Sequence, residues 1–297
     1  SDLGLFLRVG MEFGLDKFGQ GIGKFIAFET FLHKDKYNHP TIEGRNDALI
    51  CPSGFYDGKN YEVFDHMKIR EHVKHSWYED YPATHPWSEP MPEPMESQHL
   101  KDTDFTTKYA WSKAPRYMDH NAEAGPLARA MMNANPANLP HQYRDPLFGD
   151  IMQKMGPSVF VRCLARMHET TRLYTMLNKW LGEINLDEEF YIKPEERDGK
   201  GFGATEAVRG ALAHWIKIEN GLIKNYQIVA PTTWNIGPQD EQGNPGAVEA
   251  ALTGLEIEDV NDPVEVGIVA RSFDSCLVCT VHAHDVKSGK ELAKFKL

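Results

Sequence analysis

The sequence predicts a mainly α-helical chain with one small β-hairpin, an α+β fold built on a helix-bundle core. One apolar stripe of about 25 residues follows Pro157, with the spacing of three and four that marks one face of a helix. Several shorter segments carry helix start and stop signals. One hairpin is recognisable, at Asn220-Gly221. We therefore expect residues 1–297 to form a single domain dominated by helices.

The helices are expected in the middle and the last third of the chain. The longest is predicted to bury a stripe made of Phe160, Leu164, Met167, Thr171, Tyr174, Leu177 and Leu181. Two more are predicted over 121–134 and 146–155. Segments 244–254 and 262–272 begin with Asn-Pro and Asp-Pro, which favour a helix start. The proline-rich residues 80–100 predict an extended surface arm.

The hairpin is predicted from Asn-Gly, the strongest short signal for a two-residue type I′ turn. With that turn, Glu219 lies opposite Leu222, and residues 212–219 pair with 222–229. Extended to the open end of the hairpin, the same register places Arg209 opposite Thr232. We therefore expect these two residues to be neighbours.

Composition restricts the partners and the location. Of the 297 residues, 41% are hydrophobic and 25% are charged, and the formal net charge is −11. A nucleic acid is therefore not expected as a partner. No apolar run approaches the roughly 20 residues that span a bilayer, so we expect a cytoplasmic or peripherally membrane-associated location. The first residue is Ser1, which is consistent with a processed or truncated polypeptide.

The most specific chemical signal is Cys276-x-x-Cys279, followed three residues later by His282. Two thiolates and one imidazole at this spacing can converge on a metal ion. Taken alone, a single C-x-x-C fits half of a zinc knuckle and a redox-active pair equally well. No second C-x-x-C is present in this sequence, which excludes a four-cysteine zinc site within it. Cys51 and Cys163 are expected to be ordinary thiols.

Four blocks of sequence, in chain order and with this motif as the last, give it a context. They are Ile69-Arg-Glu-His-Val-Lys-His-Ser-Trp77-Tyr; Lys113-Ala-Pro-Arg116-Tyr with Glu123-Ala-Gly-Pro-Leu-Ala-Arg129; Glu206-Ala-Val-Arg209-Gly-Ala-Leu-Ala-His214-Trp215 with Ala230-Pro-Thr-Thr-Trp234-Asn; and Asp274-Ser-Cys276-Leu-Val-Cys279-Thr-Val-His282. Together they resemble the C-terminal half of the large subunit of [NiFe]-hydrogenases. The sequence around Cys276 is similar to that of uptake-type enzymes, including the high-affinity group.

The resemblance implies a nickel–iron centre whose iron carries CO and cyanide. Four cysteine thiolates hold such a centre, two of them from an N-terminal C-x-x-C. Cys276 would be a terminal nickel ligand, and Cys279 would bridge nickel and iron. Arg209 would donate hydrogen bonds to cyanide. The pocket for the diatomic ligands would be lined by Arg209, Leu212, Pro231 and Thr232.

The resemblance also assigns the groups around the centre. Asp274 would orient Arg209, because a lone buried guanidinium is costly. His282 and the carbonyl of Ile228 would bind Mg²⁺ or a similar divalent ion. Heterolysis of H2 needs a Lewis-acidic metal and a nearby base. The Cys276 thiolate and the Arg209 guanidinium are the two candidates for that base.

The implied activity is that of a hydrogen:acceptor oxidoreductase, the reversible heterolytic cleavage of H2, mainly as oxidation. The N-terminal C-x-x-C, the glutamate of proton exit and one acidic Mg²⁺ ligand are absent from this sequence. An N-terminal large-subunit half would supply them, and an iron–sulfur small subunit would carry the electrons. The alternative is an H2 sensor or a structural subunit of a redox complex. Cys276 and Cys279 argue against a structural subunit, since the related structural subunits have lost these cysteines.

Residues 283–297 follow His282. In the family, a maturation endopeptidase removes a peptide of about this length after nickel insertion, so we expect an extension of that kind. Hydrogen-sensing relatives typically lack it, which favours a catalytic lineage. Val208 and Ser275 stand where the family usually has proline, which is expected to alter loop rigidity more than chemistry.

Overall fold

The computed structural model describes residues 1–32, 48–88, 90, 92–95, 107–135, 145–189, 191, 193, 197–276, 279–285 and 291–296. Its helices are α1 (Asp2–Glu12), α2 (Pro126–Ala134), α3 (Leu147–Met155), α4 (Val159–Glu183), α5 (Pro231–Ile236), α6 (Ala247–Leu252) and α7 (Val264–Ser272). Its strands are β1 (Phe25–Ala27), β2 (Thr30–Leu32), β3 (Ala48–Cys51), β4 (Gly54–Tyr56), β5 (Tyr61–Glu62), β6 (Ile69–His72), β7 (Ala114–Tyr117), β8 (Gly199–Ala207), β9 (Gly210–Glu219), β10 (Leu222–Val229), β11 (Thr280–His284) and β12 (Glu291–Lys296).

Helix does not dominate the chain as the sequence suggested. Helices hold 34% of the residues and strands 24%, so a mainly α-helical fold is not confirmed. The strands form small antiparallel sheets, ordered β1-β4-β5, β10-β9-β8, β11-β12, β2-β3 and β6-β7. Short strands with few repeats of the two-residue period leave little signal in the sequence. Of the predicted proline-rich arm, Pro86–Ser88 forms a 3-10 turn, and several residues lie outside the described ranges.

The long helix after Pro157 is confirmed as α4, which spans 25 residues. Ser158 caps it by accepting a hydrogen bond from the backbone N–H of Val161. Its predicted apolar stripe is buried only in the first half, where Phe160 is 3% exposed. In the second half, Leu177 is 50% exposed and Leu181 is 65% exposed. The stripe therefore extends beyond the core that this chain provides.

The shorter helices lie where the sequence predicts them, but two of them are shorter than predicted. The predictions over 146–155 and 262–272 are confirmed as α3 and α7. The helix predicted over 121–134 starts only at Pro126, because Glu123 forms a β-bridge with Phe25 and Gly125 has φ +126°. The helix predicted over 244–254 is limited to α6.

The predicted hairpin is confirmed as β9–β10, and its turn has the type I′ pattern, with positive φ at both Asn220 and Gly221. A bulge between Ile223 and Asn225 then shifts the register by one residue. The ladder ends at the pair Val229–Ala213, and α5 begins two residues later. The predicted pairing of Arg209 with Thr232 is therefore wrong.

Arg209 lies instead in the turn of a second hairpin, β8–β9. Ala207 pairs with Gly210 across the two-residue turn formed by Val208 and Arg209. The sequence analysis missed β8 because it carries three glycines, a residue that weakens strand patterns.

Three apolar clusters hold these elements together. The first surrounds Trp215 and Trp234 and joins the β8–β10 sheet to α5. The second packs α2 and α4 against β1, and the third packs α6 and α7 against the start of α4. The first and third clusters border segments that carry predicted site residues.

Candidate metal centre

The two cysteines of the C-x-x-C motif lie in a tight turn just after α7. Asp274 ends the helix region with φ +59°, a left-handed conformation that aspartate tolerates better than most residues. The backbone N–H of Cys279 donates to the Cys276 carbonyl over 2.9 Å. Burial raises the pKa of the Cys279 thiol, and the adjacent Cys276 side chain raises it further. Both thiols therefore share one half-buried position.

Two arginines of α4 hold the segment before Cys276. The Arg166 Nε donates to Asp274 Oδ2 over 2.8 Å, and its Nη2 donates to the Ser272 carbonyl over 3.1 Å. The Arg162 guanidinium lies over the Phe273 ring, 3.7 Å from its centroid. Long helix α4 thus fixes the approach to the cysteines.

Asp274 does not make the predicted ion pair with Arg209. Within the described residues, the cation that pairs with Asp274 is Arg166. Both side chains of this pair are about one-third exposed, so it contributes little to stability and mainly sets geometry.

Arg129 fixes the hairpin tip that carries Arg209. Its guanidinium donates to the carbonyls of Ala207 and Val208 over 3.2 and 3.1 Å, and to Glu206 over 2.8 Å. Two further bonds of 2.6 Å join it to Glu169. One buried arginine thus forms ion pairs with two carboxylates. Burial raises the pKa of Glu206 to about 7, although the positive charge of Arg129 opposes this rise.

The tip also packs backbone against backbone. Gly210 has φ +130°, and a Cβ there would lie 2.6 Å from the backbone nitrogen of Gly125. Glycine is therefore required next to Arg209, and the tip is held against the start of α2.

Asn235, in α5, joins three segments of the site. Its Oδ1 accepts from the Ala124 N–H over 2.9 Å, and its Nδ2 donates to the carbonyls of Ala124 and Phe273 over 3.0 and 3.2 Å. Asn235 is 1% exposed, so these bonds are shielded from water. They fix α5, which begins with Pro231 and Thr232, relative to the turn before Cys276.

The Arg209 side chain has a buried hydrogen-bond donor, its Nε, that lacks an acceptor in the described structure. Such atoms are rare in folded proteins and call for an explanation. Burial is the main influence on the pKa of Cys279 and raises it, whereas the positive charge of Arg209 has the smallest influence and lowers it. A soft metal held by Cys276 and Cys279, with an acceptor ligand beside Arg209, fits these residues.

Three other predicted site residues lie at the open end of the β9–β10 hairpin. Leu212 precedes Ala213, the residue that closes the β9–β10 ladder, and Pro231 lies two residues beyond its partner Val229. The end of the ladder therefore brings Leu212 towards Pro231 and Thr232, although Arg209 itself arrives by another hairpin.

The predicted divalent-cation ligands belong to two sheets. Ile228 lies in β10 opposite His214 and follows Gln227, whose side chain accepts a 2.9 Å bond from Lys113. His282 lies in β11, with Nδ1 2.6 Å from Glu291 Oε2.

The residues that sequence reasoning missed are those that position the centre: Arg129, Arg162, Arg166 and Asn235. Arg129 and Asn235 belong to or adjoin the recognised blocks but had no assigned role. A signal for the other two was present, since arginines four residues apart share one helix face. The acceptors of Arg166, however, lie about a hundred residues away along the chain.

Two closely spaced cysteines, and an arginine with a buried donor that lacks a partner in the described structure, suit a protein that binds a soft metal. The family model "Nickel-dependent hydrogenase" matches residues 7–282, and the chain belongs to this family. The chain is 36% identical to the periplasmic [NiFeSe] hydrogenase large subunit of Desulfomicrobium baculatum, over 93% of this chain and 53% of that protein. It is 34% identical to the uptake hydrogenase large subunit of Bradyrhizobium diazoefficiens, over 89% of this chain and 48% of that protein.

Solved structures agree with this assignment. The H2-activated [NiFeSe]-hydrogenase of Dm. baculatum superposes with a TM-score of 0.75 at 33% identity, covering 92% of this chain and 55% of that chain. The reduced Ni-Fe-Se hydrogenase of D. vulgaris Hildenborough gives 0.75 at 32% identity, with 92% and 56% covered. The fold is therefore that of a hydrogenase large subunit. The chain spans about half the length of the relatives it matches.

Proposed function

We propose that this chain forms part of the catalytic subunit of a [NiFe]-hydrogenase, which cleaves H2 heterolytically into protons and electrons, mainly in the direction of oxidation. The observation that carries the proposal is the closely spaced pair Cys276 and Cys279, together with the buried Arg209 Nε, which has no partner in the described structure. The relatives named as hydrogenase large subunits support it.

Cys276 and Cys279 would hold the Ni–Fe centre, Cys276 as a terminal nickel ligand and Cys279 as a bridge to iron. When bound, the centre supplies Lewis acidity and redox capacity for splitting H2. The unpaired donor of Arg209 supports a hydrogen bond to a cyanide ligand of the iron. Pro231 and Thr232, fixed through Asn235, would line the same pocket with Leu212.

The place that this chain offers for the released proton is the Cys276 Sγ, because the Arg209 guanidinium is already protonated and has no lone pair to accept one. Arg129 holds Arg209 in place through the backbone of the hairpin tip. Asp274 acts as a positioning residue, because its bond to Arg166 fixes the turn that presents Cys276.

We assign His282 and the Ile228 carbonyl to a Mg²⁺-type ion that completes its shell with a carboxylate from the missing half. Hard cations prefer oxygen ligands, so a backbone carbonyl is a suitable donor. Lys113 anchors Gln227 and thereby fixes the backbone next to Ile228.

The partners follow from the length and the exposed surface. An N-terminal large-subunit half would supply two more thiolates, and an iron–sulfur small subunit would accept the electrons. The apolar second half of α4 supports a contact with that half, since Tyr174, Leu177 and Leu181 are at least half exposed. Helix α1 likewise exposes Leu5 and Phe13.

The match to the family model ends at residue 282, which supports the proposal that residues 283–297 are an extension cut by a maturation endopeptidase. Among the described residues, no helix combines the length and apolar character needed to cross a membrane. A cytoplasmic or peripherally membrane-bound location stays a prediction.

The proposal is tested on the complex assembled with the N-terminal half and the small subunit. We expect about one nickel and one iron per complex by elemental analysis, together with H2-dependent reduction of a redox dye. Absence of nickel from a correctly assembled complex would contradict the proposal. A complex with both metals but without H2-dependent dye reduction would point to a sensor.

A further inference from the structure

The C-terminal hairpin β11–β12 gathers three metal-ligating side chains outside the centre described above. His282 and His284 are two residues apart on β11, so their side chains project from the same face of the strand. Their rings stack with centroids 6.2 Å apart and an interplanar angle of 7°. Side chains in such an arrangement offer two imidazole nitrogens to one point.

A bulge brings a carboxylate to the same point. The β11–β12 register shifts between Ala283 and His284, so that His284 lies opposite Glu291. The carboxylate then reaches across to His282, with 2.6 Å between its Oε2 and the imidazole Nδ1. One ligand atom from each of His282, His284 and Glu291 lies within 4.8 Å of the other two.

The donor set selects the class of cation. Imidazole nitrogen suits Zn²⁺, Ni²⁺ and Cu²⁺, whereas Mg²⁺ and Ca²⁺ prefer oxygen-only ligands. Two histidines and one glutamate leave a coordination position for water, as in three-ligand zinc sites. His282 and Glu291 are exposed, so a cation from solution can reach them.

We infer that His282, His284 and Glu291 form a binding site for a divalent transition cation in the chain that retains its C-terminal hairpin. Binding replaces the hydrogen bond between His282 and Glu291 by two coordination bonds. The site needs neither the missing half nor the Ni–Fe centre. One consequence rests on the proposed function. While His282 binds the cation of this site, it is not free to bind the Mg²⁺-type ion together with the Ile228 carbonyl.

The test is a titration of the full chain with Zn²⁺, followed by competition with a chromophoric chelator. The parent for this titration carries Cys276→Ser and Cys279→Ser, so that the thiolates do not bind the metal. We expect one Zn²⁺ per chain, with affinity weakened at least about ten-fold by His284→Ala and by Glu291→Gln, since even outer partners of metal ligands are worth that much.

Matched controls come from the same chain. Glu219→Gln removes a carboxylate next to another hairpin turn, and His75→Gln removes an imidazole bonded to the Thr107 carbonyl, so both are expected to leave Zn²⁺ affinity unchanged. Lys294→Gln removes the ammonium opposite His282 and is expected to bind at least as tightly as the parent.

X-ray absorption at the zinc edge gives an independent readout, with imidazole scattering expected. Far-UV circular dichroism checks that each variant retains the parent's fold. The inference is overturned by failure to bind Zn²⁺, by an affinity equal to the parent's in the His284→Ala and Glu291→Gln variants, or by a zinc spectrum without imidazole. None of these results bears on hydrogenase activity, so the two proposals fail separately.

Discussion

At the scale of single residues, the central feature is Arg209 and its buried Nε without a partner in the described structure. The planar guanidinium presents several donors in fixed directions, which an ammonium group cannot reproduce. Leaving a buried donor unpaired costs free energy, and a ligand that accepts a hydrogen bond from it would remove this cost. Arg129 holds Arg209 in place indirectly, by donating hydrogen bonds to the backbone carbonyls of the preceding residues Ala207 and Val208.

We predict that Arg209→Lys lowers H2-dependent dye reduction by about a hundred-fold or more, as does removal of a preorganised donor in other enzymes. Nickel and iron contents of the assembled complex should not change, because the cysteines remain. Arg70→Lys is the control, since Arg70 donates to the carbonyls of Met67 and Ile69. Full activity in Arg209→Lys would show that the reaction does not require the guanidinium of Arg209.

Glu206 gives a pH dependence of stability. Burial raises its pKa to about 7, above the ordinary value of 4.5. Between these two pH values the folded chain binds more protons than the unfolded chain, so the free energy of unfolding falls as pH rises through the window. The contribution is complete below pH 4.5 and lost above about 7.

Glu206→Gln does not titrate and is expected to lack this fall. The difference in unfolding free energy between pH 5 and pH 8 should shrink by up to about 3 kcal/mol, the equivalent of the pKa rise. Urea unfolding of both proteins at the two pH values measures it. An unchanged pH dependence in the variant would show that Glu206 is ionised throughout.

The sequence predicted Cys276, Cys279 and Arg209 as site residues because residue type and motif identify them without coordinates. It assigned the wrong partner to Asp274, since Arg166 lies more than a hundred residues away and belongs to no local pattern. The roles of Arg129 and Asn235 depend on long-range bonds to backbone atoms, which side-chain patterns do not reveal.

At the scale of elements, two hairpins that share β9 place the residues of the site. The β9–β10 turn was predictable because Asn-Gly encodes it locally. The bulge at Lys224 was not, because a bulge depends on packing across the sheet rather than on one residue type. The predicted pairing of Arg209 with Thr232 is wrong because the β9–β10 ladder ends at Ala213 and Arg209 lies in the β8–β9 turn.

We predict that Gly210→Ala destabilises the chain by about 1–3 kcal/mol, the usual cost of overpacking, because its Cβ would collide with the backbone of Gly125. It should also lower H2-dependent activity, since Arg209 is the adjacent residue. Gly203→Ala, in β8, is the matched control, because a Cβ there meets nothing within 4 Å. Urea denaturation compares both variants with the wild type, and equal midpoints for the two would contradict the packing at the tip.

At the scale of the whole molecule, the apolar surface of α4 continues past the core that the chain itself provides. The sequence analysis predicted this stripe as buried, and the helix period cannot distinguish burial within a chain from burial against a partner. The chain covers about half of the large subunits it matches, which is where the rest of that burial is proposed to come from.

We predict that Leu181→Lys weakens co-purification of the chain with a separately expressed N-terminal half. Because Leu181 is 65% exposed here, the unfolding free energy of the chain alone should change by no more than about 0.5 kcal/mol. Lys179→Gln, on the same exposed part of α4, should leave both quantities unchanged. Normal assembly of the Leu181→Lys variant would show that the exposed apolar face of α4 does not contact the N-terminal half.

The most direct test of the central claim is the nickel content of the assembled complex with and without Cys276→Ser. The account predicts about one nickel per complex in the wild type, and loss of both nickel and H2-dependent dye reduction in the variant. Cys163→Ser, a change at a free cysteine in α4, should retain both. Full nickel content and full activity in Cys276→Ser would contradict the claim that this thiolate holds the catalytic metal.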